Sequence, residues 1–264
     1  MCLYPVYLKS QNLYVPCGKC KACRINNVMQ LSLRAYHEYL TSKCASFVTL
    51  TYSDSNVPKN YNLCYDDFLR FLKYFKKLSK IKGLKYLVAG EYGGQFGRPH
   101  FHCVLYNVDK SCVEFIRKAW KNQGFIDVKP AIKESFGYIA KYNLKTKSQK
   151  EKEFLLLGKI PPFVRISKGL GREWCEQHRE ILERDLCIKQ NGKVIPLPEY
   201  YLRILNYSRD TKGDRVSPLR NHLNIRRQLK FESYLAEIGN ESPQAYLLRS
   251  SKNKASKLLG KVYD

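Results

Sequence analysis

Two histidines separated by one residue, His100-Phe101-His102, are the side chains of this sequence best suited to share a metal ion. In an extended strand, residues i and i+2 project from one face, so both imidazoles can reach a single cation while Phe101 turns toward the core. Glu91 stands upstream, across a turn punctuated by Gly93, Gly94, Gly97 and Pro99. If the flanking segments pair as a hairpin, its carboxylate completes a site of two nitrogens and one oxygen. Such a set leaves coordination positions open, which suits Mg²⁺ or Mn²⁺ in contact with a phosphate better than a closed structural zinc. The plainer reading of Glu91 is a solvated hairpin residue.

A second constellation follows in Gly137-Tyr138-Ile139-Ala140-Lys141-Tyr142-Asn143-Leu144-Lys145. On a helix, Tyr138 and Tyr142 share a face, with Lys141 and Lys145 flanking the same stripe. A phenol with a pKa of about 10 is a poor nucleophile at neutral pH and needs a nearby cation or base. Lys141 or Lys145 could supply that charge or hold a phosphate; packing is the plainer role for tyrosines at this spacing. A third cluster, Cys17, Cys20 and Cys23, has the spacing of thiolate ligands, but a structural Zn²⁺ wants four. Cys2, Cys44 or Cys64 could provide the fourth, and free thiols beside a tight turn are the alternative.

The elements that must position these groups follow from periodicity. Arg24 to Leu40 carries an apolar face at helical spacing, and Ala45 to Tyr52 alternates as a half-buried strand does. Asp66 and Asp67 are placed to cap a helix containing Phe68, Leu72 and Phe75. Lys85 to Ala89 and His100 to Tyr106 read as a hairpin. Ser111 with Glu114 matches a capping box for a helix through Trp120. Gly124 to Lys129 reads as a strand and Glu134 to Lys147 as a helix. This order implies an α+β fold, an antiparallel or mixed sheet backed by helices. Beyond about residue 150, Pro161-Pro162, Gly169, Gly171, Pro196 and Pro198 interrupt the pattern. Residues 1–150 are therefore expected to form a catalytic domain carrying the cysteine cluster, and 151–264 a basic C-terminal extension ending in a Lys- and Ser-rich segment, Ser250 to Lys261.

Composition sets the partner class. Forty-seven Lys and Arg against 23 Asp and Glu give a formal charge of +24, a field that gathers polyanions. Twenty tyrosines offer rings that can stack on unpaired bases. No stretch has the length or apolarity of a membrane span, and Met1 to Ser10 lacks the pattern of a secretory signal, so a cytoplasmic protein with reduced cysteines is expected. Membrane and small-molecule substrates are not expected partners.

The His-hydrophobic-His strand followed by Tyr-x-x-x-Tyr resembles the HUH endonuclease superfamily in the order of its rolling-circle initiators. Six segments are similar to the replication initiators of gokushovirus-type microviruses, small single-stranded DNA phages. They are Pro16 to Arg24, Phe47 to Tyr52, Gly90 to Gly93, Gly97 to His102, Tyr138 to Tyr142 and Gly169 to Trp174. The resemblance implies a five-stranded antiparallel sheet of ferredoxin-like or RNA-recognition-like topology. It also implies a metal at His100 and His102 and nucleophile roles for Tyr138 and Tyr142. Thr49, Thr51 and Arg98, inside these segments, are expected to contact DNA. Where the family's motif continues with two adjacent lysines, this chain has Lys145 followed by Thr146. The activity so implied is nicking of one strand at a replication origin through a 5′-phosphotyrosine, leaving a 3′-hydroxyl for a host polymerase, then rejoining. No Gly-x-x-x-x-Gly-Lys-Ser/Thr segment is present, so strand opening would fall to a host helicase. A non-enzymatic single-stranded DNA binding or packaging protein is the alternative.

Overall fold

The computed structural model describes residues 2–94, 97–145, 149–190, 192–205, 218–243, 245, 246 and 249. The expected basic tail, Ser250 to Lys261, lies outside the described residues. In chain order the elements are β1 (Val6–Leu8), β2 (Leu13–Val15), α1 (Lys21–Thr41), β3 (Ala45–Thr51), α2 (Tyr65–Ser79), β4 (Lys85–Tyr92), β5 (Pro99–Tyr106), α3 (Val113–Trp120), β6 (Ile126–Pro130), α4 (Lys133–Lys145), α5 (Gln149–Leu156), β7 (Phe163–Ile166), α6 (Arg172–Gln177), α7 (Arg179–Asp185), β8 (Cys187–Gln190), β9 (Lys193–Pro196), α8 (Glu199–Ile204) and α9 (Pro218–Ile238). The chain divides into two compact units, residues 24–206 and a discontinuous one of residues 1–23 with 207–264.

The larger unit is α+β, built on a five-stranded antiparallel sheet in the order β6-β3-β5-β4-β7. Alternation along the strands sends residues to two separate cores. Val48, Leu50, Val88, Phe101, Cys103 and Leu105 point to one face, where Phe68, Phe71 and Phe75 of α2 and Ile116 and Trp120 of α3 cover them. Leu87, Ala89, Val104 and Tyr106 point to the other, covered by Ala35 of α1 and Phe136, Ile139 and Tyr142 of α4. The central strands are thus buried on both sides, because helices back both faces. No described helix is long and apolar enough to cross a membrane.

The Gly169 to Trp174 segment anchors α1 within this unit. The Gly171 amide donates to Glu38 Oε2 at 2.7 Å, Arg34 donates to the Leu170 carbonyl, and Trp174 stacks on His37 at 3.5 Å between centroids. Gly124 has a different duty. A Cβ there would lie 2.0 Å from the Thr51 carbonyl oxygen and 2.5 Å from the Ser53 nitrogen, since the turn before β6 runs against the end of β3. Gly124→Ala should therefore lower unfolding free energy by about 2 kcal/mol or more, measured as a reduced urea midpoint with an unchanged slope.

Three local expectations are corrected. Asp66 and Asp67 lie in the first turn of α2, but no side chain caps it. Asp67 instead accepts the Tyr52 hydroxyl at 2.8 Å and pairs with Arg70. Ser111 and Glu114 form no capping box. Asp109 accepts from the Ser111 amide, in a short 3₁₀ turn ahead of α3, and Glu114 pairs with Arg117. The strand β7 lies past residue 150, yet it pairs with β4 at the sheet edge, so the sheet continues beyond the position where composition changes.

Candidate metal and tyrosine centre

The register of β4 and β5 builds the site. Glu91 pairs directly with His100 and Ala89 with His102, so the three polar side chains emerge on the α4 face, opposite Phe101. His100 Nε2 and His102 Nε2 each lie 3.2 Å from the same Glu91 Oε1. Ligand atoms held about 2.1 Å from a divalent ion at right angles are about 3.0 Å apart, so this donor set fits one ion.

Outer contacts orient the rings. His100 Nδ1 is 3.1 Å from the Arg98 carbonyl oxygen, which can only accept, so Nδ1 carries the proton. Nε2 then presents a lone pair toward a carboxylate oxygen, an arrangement that only a cation between them makes favourable. His102 Nδ1 lies 3.1 Å from Thr49 Oγ1, its direct partner on β3. Thr49→Val should therefore weaken divalent-metal binding about 10- to 100-fold, checked by titration calorimetry with Mn²⁺.

The helix α4 brings the two tyrosines over the same face. His102 lies 5.5 Å from the Tyr138 ring, edge to face, and 6.0 Å from the Tyr142 ring, stacked. Phe47 fills the gap beside His102 and Tyr138. The Tyr142 hydroxyl donates to the Tyr138 oxygen at 2.7 Å, and Tyr142 also shares hydrogen-bonding contact with Glu91. The two phenols differ in access, Tyr138 being 46% exposed and Tyr142 6%. Burial, then the Glu91 carboxylate and the Tyr138 hydroxyl, push the Tyr142 phenol well above its usual range, keeping it protonated. Burial opposes ionisation of Glu91, but hydrogen bonds from His100, His102 and Tyr142 outweigh it and hold its carboxyl well below the usual carboxylate range.

The remaining candidates are placed as follows. Lys141 is exposed on α4, and the side chain of Lys145 lies outside the described residues. Thr51 pairs with His100. Arg98 donates to the Tyr52 carbonyl at 2.9 Å and pairs with Asp54. Cys17, Cys20 and Cys23 come together with Cys2, whereas Cys44 and Cys64 are not in that cluster. Sequence reasoning missed the Thr49 contact to His102. Its signal was the alternation of β3, which puts Phe47, Thr49 and Thr51 on one face.

The family model of the replication-associated protein ORF2 matches residues 45–147, the span from β3 to α4 that carries Glu91, both histidines and both tyrosines. Replication-associated protein VP4 of Bdellovibrio phage phiMH2K is 32% identical over 211 residues, 70% of this chain and 65% of that protein. Replication-associated protein ORF2 of Spiroplasma virus 4 is 29% identical over 86% of this chain and 81% of its own length. ORF4 of Chlamydia phage 1, also a replication-associated protein, is 23% identical over 78% of this chain and 58% of its own length. The match thus spans less than two thirds of the Bdellovibrio and Chlamydia phage proteins. No solved structure matches the chain. The shared segment and these relatives agree with the motifs that hold the metal and tyrosine centre, and the chain belongs to the replication-associated proteins of gokushovirus-type microviruses.

Proposed function

We propose that the protein initiates rolling-circle replication as an HUH-type endonuclease, cutting one DNA strand with Tyr138 while Glu91, His100 and His102 hold Mg²⁺ or Mn²⁺. The observation that carries this reading is the convergence on one sheet face of three metal-donor atoms and two hydrogen-bonded phenols. When bound, the ion supplies positive charge to a non-bridging oxygen of the scissile phosphate. Tyr138 is the first nucleophile because its ring is the accessible one of the pair. Its oxygen forms the bond to phosphorus, the bond to the 3′ oxygen breaks, and the products are a 5′-phosphotyrosine and a 3′-hydroxyl. The Tyr142 hydroxyl, kept protonated, donates to the Tyr138 oxygen and stabilises the negative charge that the attack requires. Lys141, one turn on from Tyr138, adds a cation near the phosphate.

The covalent link conserves the phosphodiester, so a later attack by a 3′-hydroxyl rejoins the strand without a nucleotide cofactor. A second tyrosine permits a second cleavage while the first still carries DNA. The single-stranded origin is the substrate, with Thr51 and Arg98 lining its approach and the +24 charge collecting its phosphates. Opening of the duplex and extension of the 3′ end fall to a host helicase and polymerase in the bacterial cytoplasm. The test is to mix end-labelled single-stranded origin DNA with the protein and Mn²⁺ and to look for label retained on the protein after denaturation. Retention supports the endonuclease; DNA bound but never linked would leave a single-strand binding protein.

A further inference from the structure

The discontinuous unit is short of apolar material. Its described core consists of Cys2, Cys20, Cys23 and Phe231, with Leu3, Tyr14, Cys17 and Ala22 packed at the margin. A core of this size does not normally hold two distant segments together without a staple. Yet Tyr234 of α9 donates to the Leu3 carbonyl at 3.0 Å, and the Tyr14 amide donates to Gln228 Oε1 at 2.9 Å.

We infer that Cys2, Cys17, Cys20 and Cys23 bind one structural Zn²⁺ as a tetrathiolate that fastens the β1–β2 segment and the first turn of α1 beneath α9. The four sulfurs lie within 4.8 Å of one another. The Cys2 and Cys20 sulfurs are 3.9 Å apart. A tetrahedron of sulfurs about 2.3 Å from zinc has edges of about 3.8 Å, whereas a disulfide would need about 2.05 Å; all four thiols are unbridged. The spacing is therefore that of shared ligation.

The surrounding backbone is arranged to suit. The Cys17 amide donates to the Cys2 sulfur at 3.2 Å, the Cys20 amide to that of Cys17 at 3.4 Å, and the Cys23 amide to that of Cys20 at 3.5 Å. Amide donors of this kind orient sulfur ligands and offset their charge. Gly18 makes the turn between the second and third ligands at φ +72°, with open space where a Cβ would sit. Binding releases the proton of each thiol that enters coordination and leaves a site of charge −2, which Lys19 and Lys21, between the ligands in sequence, offset. Three of the four ligands come from one short turn, but Cys2 arrives from a separate stretch, so the ion closes a loop.

This proposal is independent of the nicking reading. It is tested on the full chain carrying His100→Ala and His102→Ala, so that the other metal centre is absent. Protein expressed with zinc should carry a single equivalent by mass spectrometry of the metal. A further Cys2→Ser change should abolish that zinc, and Cys44→Ser should leave it. In the otherwise native chain, titration with an organomercurial should release zinc to a chromogenic chelator as the thiols react, and cobalt in its place should give the near-ultraviolet charge transfer of sulfur ligation. The wild-type titration stands even if the Cys2 variant does not fold. Zinc-free reduced protein, iron in its place, zinc retained by folded Cys2→Ser, or disulfides within the cluster would each overturn the proposal.

Discussion

Tyr138→Phe is expected to reduce first-strand cleavage by about a thousandfold or more, because the phenol oxygen forms the new bond and nothing else in the site replaces it. Tyr142→Phe should behave differently. It removes a hydrogen bond to an oxygen that becomes charged, worth about 1.5–3 kcal/mol, so the first cleavage should slow roughly tenfold to a hundredfold. The second transfer should be lost, since no tyrosine remains once Tyr138 carries DNA. Single-turnover assays on labelled origin DNA separate the two steps. The 46% exposure of Tyr138 against 6% for Tyr142 predicts this asymmetry. Equal and full activity in both single variants and in the double variant would defeat the assignment; a mirror-image result would exchange the roles.

His102→Ala should cost about 10²- to 10³-fold in cleavage, the scale of removing one preorganised electrostatic partner from a phosphoryl centre. The change takes away a ligand, the ring against which both tyrosines pack, and the contact to Thr49. Binding of single-stranded DNA should change by no more than about threefold, because lysines and arginines spread over the chain make most phosphate contacts. Chelation of the wild-type protein should have the same signature, with cleavage lost and binding kept, and Mn²⁺ should restore cleavage to the wild type but not to the variant. Anisotropy with the same oligonucleotide gives the binding arm. If His102→Ala lost binding and cleavage in parallel, the histidines would be holding the fold rather than the reaction.

Much of this centre is legible from local rules. Period two in His100-Phe101-His102 puts two imidazoles on one face, and the four-residue spacing of Tyr138 and Tyr142 puts two phenols on one helical stripe. The glycine-rich turn makes Glu91 face His100 through hairpin pairing. Contacts that depend on distant pairing are not legible in the same way. Thr49 meets His102 only because β3 docks beside β5 in one register, and nothing near Thr49 in sequence announces it. Asp67 illustrates a local rule that loses to a tertiary contact, since the buried Tyr52 hydroxyl claims the carboxylate that would otherwise cap α2. The edge strand β7 has four residues, too few for a convincing period, and it sits in a stretch whose prolines and glycines mask it. Cys2 stands far from the Cys17–Cys23 turn in sequence, and only folding brings its sulfur to theirs.

The split make-up of the smaller unit bears on how the chain is synthesised. Its first segment ends at residue 23, and the helix that covers it begins at residue 218. At about 5–20 residues per second, the ribosome needs roughly ten to forty seconds to make the stretch between them. For that interval the nascent cysteines face solvent without their lid, and the sheet domain can finish folding first. Release of the polypeptide, rather than emergence of the amino end, then sets the moment at which this part of the molecule closes.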